Sequence, residues 1–269
     1  MNVVYPGREG AHSAAACALL FPDAQAEAVP SFGEVVGAVA SGRADAGVLP
    51  IESSLAGPVA ETHDLLVGAG VSITAQTITQ IRHFLVGVAP VALSEIRVVR
   101  SHPVALDQCR KLLAALPQAT AIAAGTTADA AAQVAADGDP AEVAIASERA
   151  AALHGLHVLA ADVGDHPEAY TRFVAIANRT ELGVGEGRRI AFSFQTDHRP
   201  GALHRALEPF ARHGLDLVQL TSRPIPHTPW RYRFDAIVGG SLGDEAVRAA
   251  FAELRGQVPR FTVFGSYPA

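Results

Sequence analysis

The chain has 269 residues, 49% of them hydrophobic and 18% charged, with 21 Lys and Arg against 27 Asp and Glu and a formal net charge of −6. That balance excludes a disordered polar chain and withholds the basic footprint of a nucleic-acid surface, while the length suffices for a full core in one large or two modest domains. The start MNVVYPGREG has no basic region ahead of a long apolar core, and no later stretch gives 18 uninterrupted apolar residues, so a soluble cytoplasmic protein without a membrane partner is expected.

Short β-branched runs recur at Val3-Val4-Tyr5, Gly47-Val48-Leu49, Val71-Ser72-Ile73, Glu95 to Arg100, Val143-Ala144-Ile145, His157-Val158-Leu159 and Phe173 to Ile176. Alanine-rich helical stretches lie between several of them, and the alternation predicts α/β layers. Pro103 suits the first turn of a helix on which Ala105, Cys109, Leu112, Leu113 and Leu116 recur at helical spacing. Cys17 and Cys109 sit in helix-like sequence with no CxxC or Cys/His spacing, so they read as core thiols, with neither zinc nor a disulfide. Three glycines at alternate positions in Gly183 to Gly187 mark a linker. Beyond it come a strand at Ile190 to Gln195, a helix at Gly201 to His213, strands at Leu217 to Ser222 and Tyr232 to Val238, a helix at Asp244 to Leu254 and a strand at Phe261 to Phe264. The order βαββαβ is that of a ferredoxin-like unit.

Several segments, in this order, carry chemistry: Pro50-Ile51-Glu52-Ser53-Ser54 with Gly57 and Thr62-His63-Asp64-Leu65-Leu66, then Ser101-His102-Pro103 with Gln108-Cys109, then Thr171-Arg172-Phe173. Together they resemble the prephenate dehydratase family. Gly201-Ala202-Leu203, Ser222-Arg223-Pro224 and the terminal Gly265-Ser266-Tyr267-Pro268 resemble the regulatory ACT domain that follows the catalytic region in that family. The resemblance implies an α/β fold: a periplasmic-binding-protein-like catalytic region of two subdomains over residues 1–180, dividing near 75–80 and 160–165, and an ACT domain over 188–269. It further implies that prephenate loses water and carbon dioxide together to give phenylpyruvate, with no metal and no organic cofactor.

On this resemblance the catalytic residues are Thr171, Arg172, Ser54 and Glu52. Arg172 would clamp a substrate carboxylate, since a planar guanidinium binds such a group bidentately, although a structural ion pair is the alternative. Thr171 would donate to the departing ring oxygen, useful only where water is kept out and charge builds up on that oxygen. Glu52 would orient its neighbours. Substrate would also meet Ser53, Ser101, His102, His12 and Phe173; Ser53 and Ser54 stand where a strand should turn into a helix and could cap it instead, His102 could be an N-cap, and Phe173 could be packing.

The chain departs from the family pattern at Ser53, Val104 and Ala169, where side-chain amides are usual, and at Ala11 and His12, where Thr and an aromatic residue are usual. These changes leave open a modified prephenate-like diacid as substrate, a non-aromatising prephenate decarboxylase, or a non-catalytic ligand sensor; His12 is a candidate to supply a missing donor. The ACT resemblance implies an amino-acid effector, phenylalanine in the family, held by Gly201, Ala202, Leu203, Thr221, Ser222, Arg223 and Pro224. Thr221 replaces the usual glutamate, which puts the effector's identity in question. Pairing of exposed sheet edges predicts a homodimer or a dimer of dimers.

Overall fold

The computed structural model describes residues 1–178, 188–225 and 228–268, and the glycine-rich linker at Gly183 to Gly187 lies outside them. The chain forms two compact units, one of Met1–Val35, Val48–Gly57 and Thr77–Phe173, the other of Val36–Gly47, Pro58–Gln76 and Val174–Ala269. In chain order the elements are β1 (Asn2–Pro6), α1 (His12–Leu20), β2 (Gln25–Val29), α2 (Phe32–Ala40), β3 (Ala46–Ser53), β4 (Gly57–Pro58), α3 (Ala60–Leu66), β5 (Val71–Gln80), β6 (Phe84–Gly87), β7 (Val98–Ser101), α4 (Pro103–Asp107) and α5 (Arg110–Ala114). There follow β8 (Thr120–Ala123), α6 (Thr127–Asp137), β9 (Glu142–Ala146), α7 (Glu148–Leu153), β10 (His157–Ala160), β11 (Tyr170–Asn178), β12 (Arg189–Gln195), α8 (Ala202–Arg212), β13 (Leu217–Pro224), β14 (Tyr232–Gly239), α9 (Glu245–Gln257) and β15 (Arg260–Tyr267). The described strands make three sheets, ordered β2-β1-β3-β11-β5 with β4 on β3, β10-β6-β9-β7-β8, and β13-β14-β12-β15.

In the first unit, β1 and β2 run parallel with Asn2 opposite Gln25, while β9 pairs parallel with β7 and antiparallel with β6. Strand alternation accounts for two of its apolar clusters. Phe84, Val86, Ala144 and Ala146 pack on α6 and α7 through Ala130, Val134 and Ala150, whereas Leu85, Val143 and Ile145 face Val99, Ala105, Cys109 and Leu116. A sheet covered on both faces needs continuous apolar strands, and β6 is buried at all its positions.

The sequence predicts one helix from Pro103 to Leu116, and the structure divides it in two. Cys109 leaves helical geometry at φ −124°, and Asp165 accepts hydrogen bonds from the backbone of both Arg110 and Lys111 at 3.0 Å. A carboxylate from a distant loop thus caps a second helix start and stabilises the break. The strand expected over Glu95 to Arg100 is shorter at its front: Leu93–Glu95 form a 3-10 turn and β7 begins at Val98.

The βαββαβ tail matches its sequence reading closely. Phe192 is its centre, 5.3 Å from Phe210 and 5.1 Å from Phe251 by ring centroids, so α8 and α9 pack on one face of the sheet. Gly265 of β15 has no room for a side chain, because a Cβ there would overlap the backbone of Ile73 in β5.

Candidate functional site

The candidate catalytic side chains gather where β3 ends and β11 begins. Ser54 N donates to Tyr170 O at 2.8 Å, Tyr170 N donates back to Ser54 Oγ at 2.9 Å, and Ser54 Oγ reaches Glu168 O at 3.5 Å. This clamp fixes Glu52 beside Arg172, whose Nη1 lies 3.5 Å from Glu52 Oε2. Arg172 Nε is closed off from solvent and has no partner in the structure. A loose ion pair and a free buried donor leave the guanidinium with capacity for an added anion. Thr171 is half-buried, and Phe173 is 2% exposed and packs into the core.

The strand-to-helix turn expected at Ser53-Ser54 is not present, so neither serine caps a helix. Ser53 Oγ accepts instead from Leu55 N at 3.3 Å and Ala56 N at 3.2 Å, closing a tight turn towards β4, and α3 starts later, after Val59. Ser101 is buried and donates to Ile145 O at 2.6 Å, so its hydroxyl ties β7 to β9. His102 caps α4, its Nδ1 accepting from Val104 N at 3.2 Å, and burial pushes its pKa down. Val104 is 46% exposed, while Ala169 is 5% exposed with its carbonyl accepting from Ile81 N.

The loop after β1 is held against α6 and α7. Ser147 Oγ, the cap of α7, donates to Gly10 O at 2.7 Å, and a Cβ on Gly10 would come within 2.9 Å of Ala150 Cα. Arg8 pairs with Asp129, on the first turn of α6. His12 opens α1 with its Nε2 buried and unpartnered; burial first, and the neighbouring His83 second, push it down to about 4. His83 and Gln108, joined at 2.8 Å, carried no role in the sequence reading, and their only signal was the short Gln108-Cys109 match. Among the described residues no three His, Cys, Asp or Glu side chains are grouped to hold a metal.

In the second unit, α3 meets the tail. Arg233 Nη2 donates to Asp64 Oδ1 at 2.7 Å and Arg223 Nη2 to Asp64 Oδ2 at 3.1 Å, while Asp235 lies 3.1 Å from His63 Nδ1 and 3.2 Å from Arg233 Nε. The Thr62-His63-Asp64 motif therefore serves here as a dock for β13 and β14. A separate cavity of about 500 Å³ lies at the start of α8; Gly201, Ala202 and Leu203 line it with Arg231 and Tyr232, but Thr221, Ser222, Arg223 and Pro224 do not. Gly201 holds φ +75°, and a side chain there would crowd Arg205.

Two sheets in α/β alternation with helices, followed by a βαββαβ unit, define an α/β protein with a ferredoxin-like tail. The family model "Prephenate dehydratase" matches residues 3–181 and the model "ACT domain" matches residues 192–256. Among relatives, the "Prephenate dehydratase" of Mycobacteroides abscessus is 34% identical, covering 99% of this chain and 90% of the relative. The "Arogenate dehydratase/prephenate dehydratase 2, chloroplastic" of Arabidopsis thaliana is 32% identical over 100% of this chain and 73% of its own length. The solved prephenate dehydratase of Arthrobacter aurescens in complex with L-Phe superposes with a TM-score of 0.91 at 31% identity, covering 100% of this chain and 90% of that one. The chain belongs to the prephenate dehydratase family and carries the family's ACT domain.

Proposed function

We propose that this protein is a carbon–oxygen lyase that converts prephenate to phenylpyruvate, and that an amino acid regulates it through the tail. The observation that carries this reading is the Thr171-Arg172 pair at the start of β11, with the Arg172 guanidinium only loosely held by Glu52 and its Nε unpartnered. A carboxylate of the substrate takes up that donor capacity, which orients the ring and holds the second carboxylate for loss as carbon dioxide. As the C–C bond to that carboxylate breaks, its electron pair enters the ring and the C–O bond to the ring hydroxyl breaks. The departing oxygen, accepting from the Thr171 hydroxyl, leaves as hydroxide and takes a proton to become water. Aromatisation drives the step, so the protein need only orient the diacid and stabilise charge on the leaving oxygen.

Glu52 keeps the guanidinium in place from one side, and Ser54 supports both through its bonds to residues 168 and 170. The effector, phenylalanine in this reading, lies in the cavity at Gly201, Ala202 and Leu203, where the first N–H groups of α8 favour a carboxylate. Ser101 and His102 shape the crevice from the start of α4. Strand β13 is a sheet edge that exposes Val218 at 43% and Leu220 at 40%, which supports side-by-side pairing of two copies.

The reading is tested by incubating the purified chain with prephenate at mildly alkaline pH and following phenylpyruvate absorbance. Aromatic product is expected, and Thr171→Val should lower kcat by about 100- to 1,000-fold. Carbon dioxide release without aromatic product, or binding without turnover, would replace this assignment.

A further inference from the structure

Two histidines in the first unit have a ring nitrogen sealed from solvent and left without a partner: His12 at Nε2 and His83 at Nδ1. Their ring centroids are 6.4 Å apart with the planes at 82°. Buried polar atoms are satisfied in the great majority of cases, so two adjacent orphans mark a place where something polar binds.

The chemistry of that something follows from His83. Its Nε2 lies 2.8 Å from Gln108 Oε1, and a carbonyl oxygen only accepts, so Nε2 carries the proton and Nδ1 is left as a bare acceptor. A carboxylate cannot satisfy an acceptor; a hydroxyl can, and it still offers lone pairs to a neighbouring N–H. With ring centroids 6.4 Å apart, the two rings are near enough for a single oxygen to lie between them. Burial is the leading cause that lowers the pKa of both rings, and it keeps them neutral, as one donor and one acceptor.

Backbone bonds hold His83 against the loop that precedes β11. Ile81 N donates to Ala169 O at 2.7 Å and Val163 N to His83 O at 2.9 Å, so the chain through His83 runs antiparallel to residues 163–169. Gln108 is held by the break between α4 and α5, where Asp165 N donates to its carbonyl at 2.7 Å. Gly164 lies against the His83 ring, where a Cβ would sit 3.5 Å from Cδ2.

We infer that His83 and His12 form a hydroxyl-binding subsite for the ring alcohol of the substrate, with Gln108 as the positioning residue that fixes the His83 tautomer. The inference rests on the prephenate reading above. His83 Nδ1 accepts from the alcohol and His12 Nε2–H donates to it. His12 thereby supplies a donor at a position where the family usually has an aromatic residue.

The test uses two saturated-ring derivatives of prephenate that cannot aromatise, one with the ring hydroxyl and one without, titrated calorimetrically into the full chain. The wild type should prefer the hydroxylated ligand by at least about tenfold, because a site built to bond a hydroxyl is left unpaired by its absence. His83→Phe and, as a second variant, His12→Phe should lose that preference while binding the deoxy ligand within about threefold of wild type. Gln108→Leu should weaken the preference and shift the His83 tautomer seen by ¹⁵N NMR, whereas Gln108→Glu, still an acceptor, should retain both. A preference that survives His83→Phe, or equal weakening of both ligands, overturns the subsite while leaving the lyase reading intact. Failure of the wild type to aromatise prephenate overturns that reading and the subsite with it.

Discussion

Arg172 combines a 3.5 Å contact to Glu52 with a buried, unpartnered Nε, and that combination supports the proposed carboxylate clamp over a structural ion pair. A saturated ion pair would have left no donor over. Lysine keeps the charge but lacks the planar fork, so Arg172→Lys should raise KM for prephenate by about 10-fold or more, with a smaller effect on kcat; steady-state kinetics would show it. His12 makes a second residue-scale prediction. Its pKa is about 4 in the folded protein against an ordinary 6.5, so between these values the unfolded chain binds a proton that the folded one refuses. Stability on this account is full above pH 6.5 and is lost as pH falls towards 4, by about 2 kcal/mol between pH 7 and pH 5. Urea unfolding of wild type and His12→Phe at both pH values checks this, with a flatter pH dependence expected for the variant.

At the scale of elements, the break between α4 and α5 shows what a local pattern cannot convey. Ala105, Cys109, Leu112 and Leu116 do sit at helical spacing, yet the N–H groups of Arg110 and Lys111 take the Asp165 carboxylate as their cap. The partner is 55 residues away from Arg110, so no window of sequence around the helix contains it. Removing it by Asp165→Ala should cost about 1 kcal/mol in urea unfolding, the usual loss for a helix cap. The strands of the tail were legible because their apolar alternation and turn residues are local. Ser53 and Ser54 were not legible in their structural roles, since their hydrogen-bond partners lie in a turn and in the residues before β11.

At the scale of the whole molecule, the second unit is held together by charges that its elements bring from far apart in the chain. Burial would raise the pKa of Asp235, but hydrogen bonds from His63, Arg233 and Ser193 outweigh it and hold the carboxyl below its ordinary 3.8. The sign follows: this stabilisation is present above pH 3.8 and disappears as pH falls through the lower folded value. The advantage of wild type over Asp235→Asn in thermal melts should therefore shrink steadily below pH 4. Breaking such a network by removing one partner is costly because the remaining charges stay buried, and Arg233 is 5% exposed.

The residues by themselves determined the α/β order, the βαββαβ tail and the family, because apolar period, turn chemistry and short motifs are written in neighbouring positions. Only the tertiary structure decided that Arg223 faces Asp64 rather than the α8 cavity, that Asp165 splits a helix, and that His83 and Gln108 stand beside His12. Each of those outcomes depends on a hydrogen-bond or packing partner supplied by a distant segment. Such a partner exists only once folding has brought the two stretches together and excluded the water that would otherwise satisfy them.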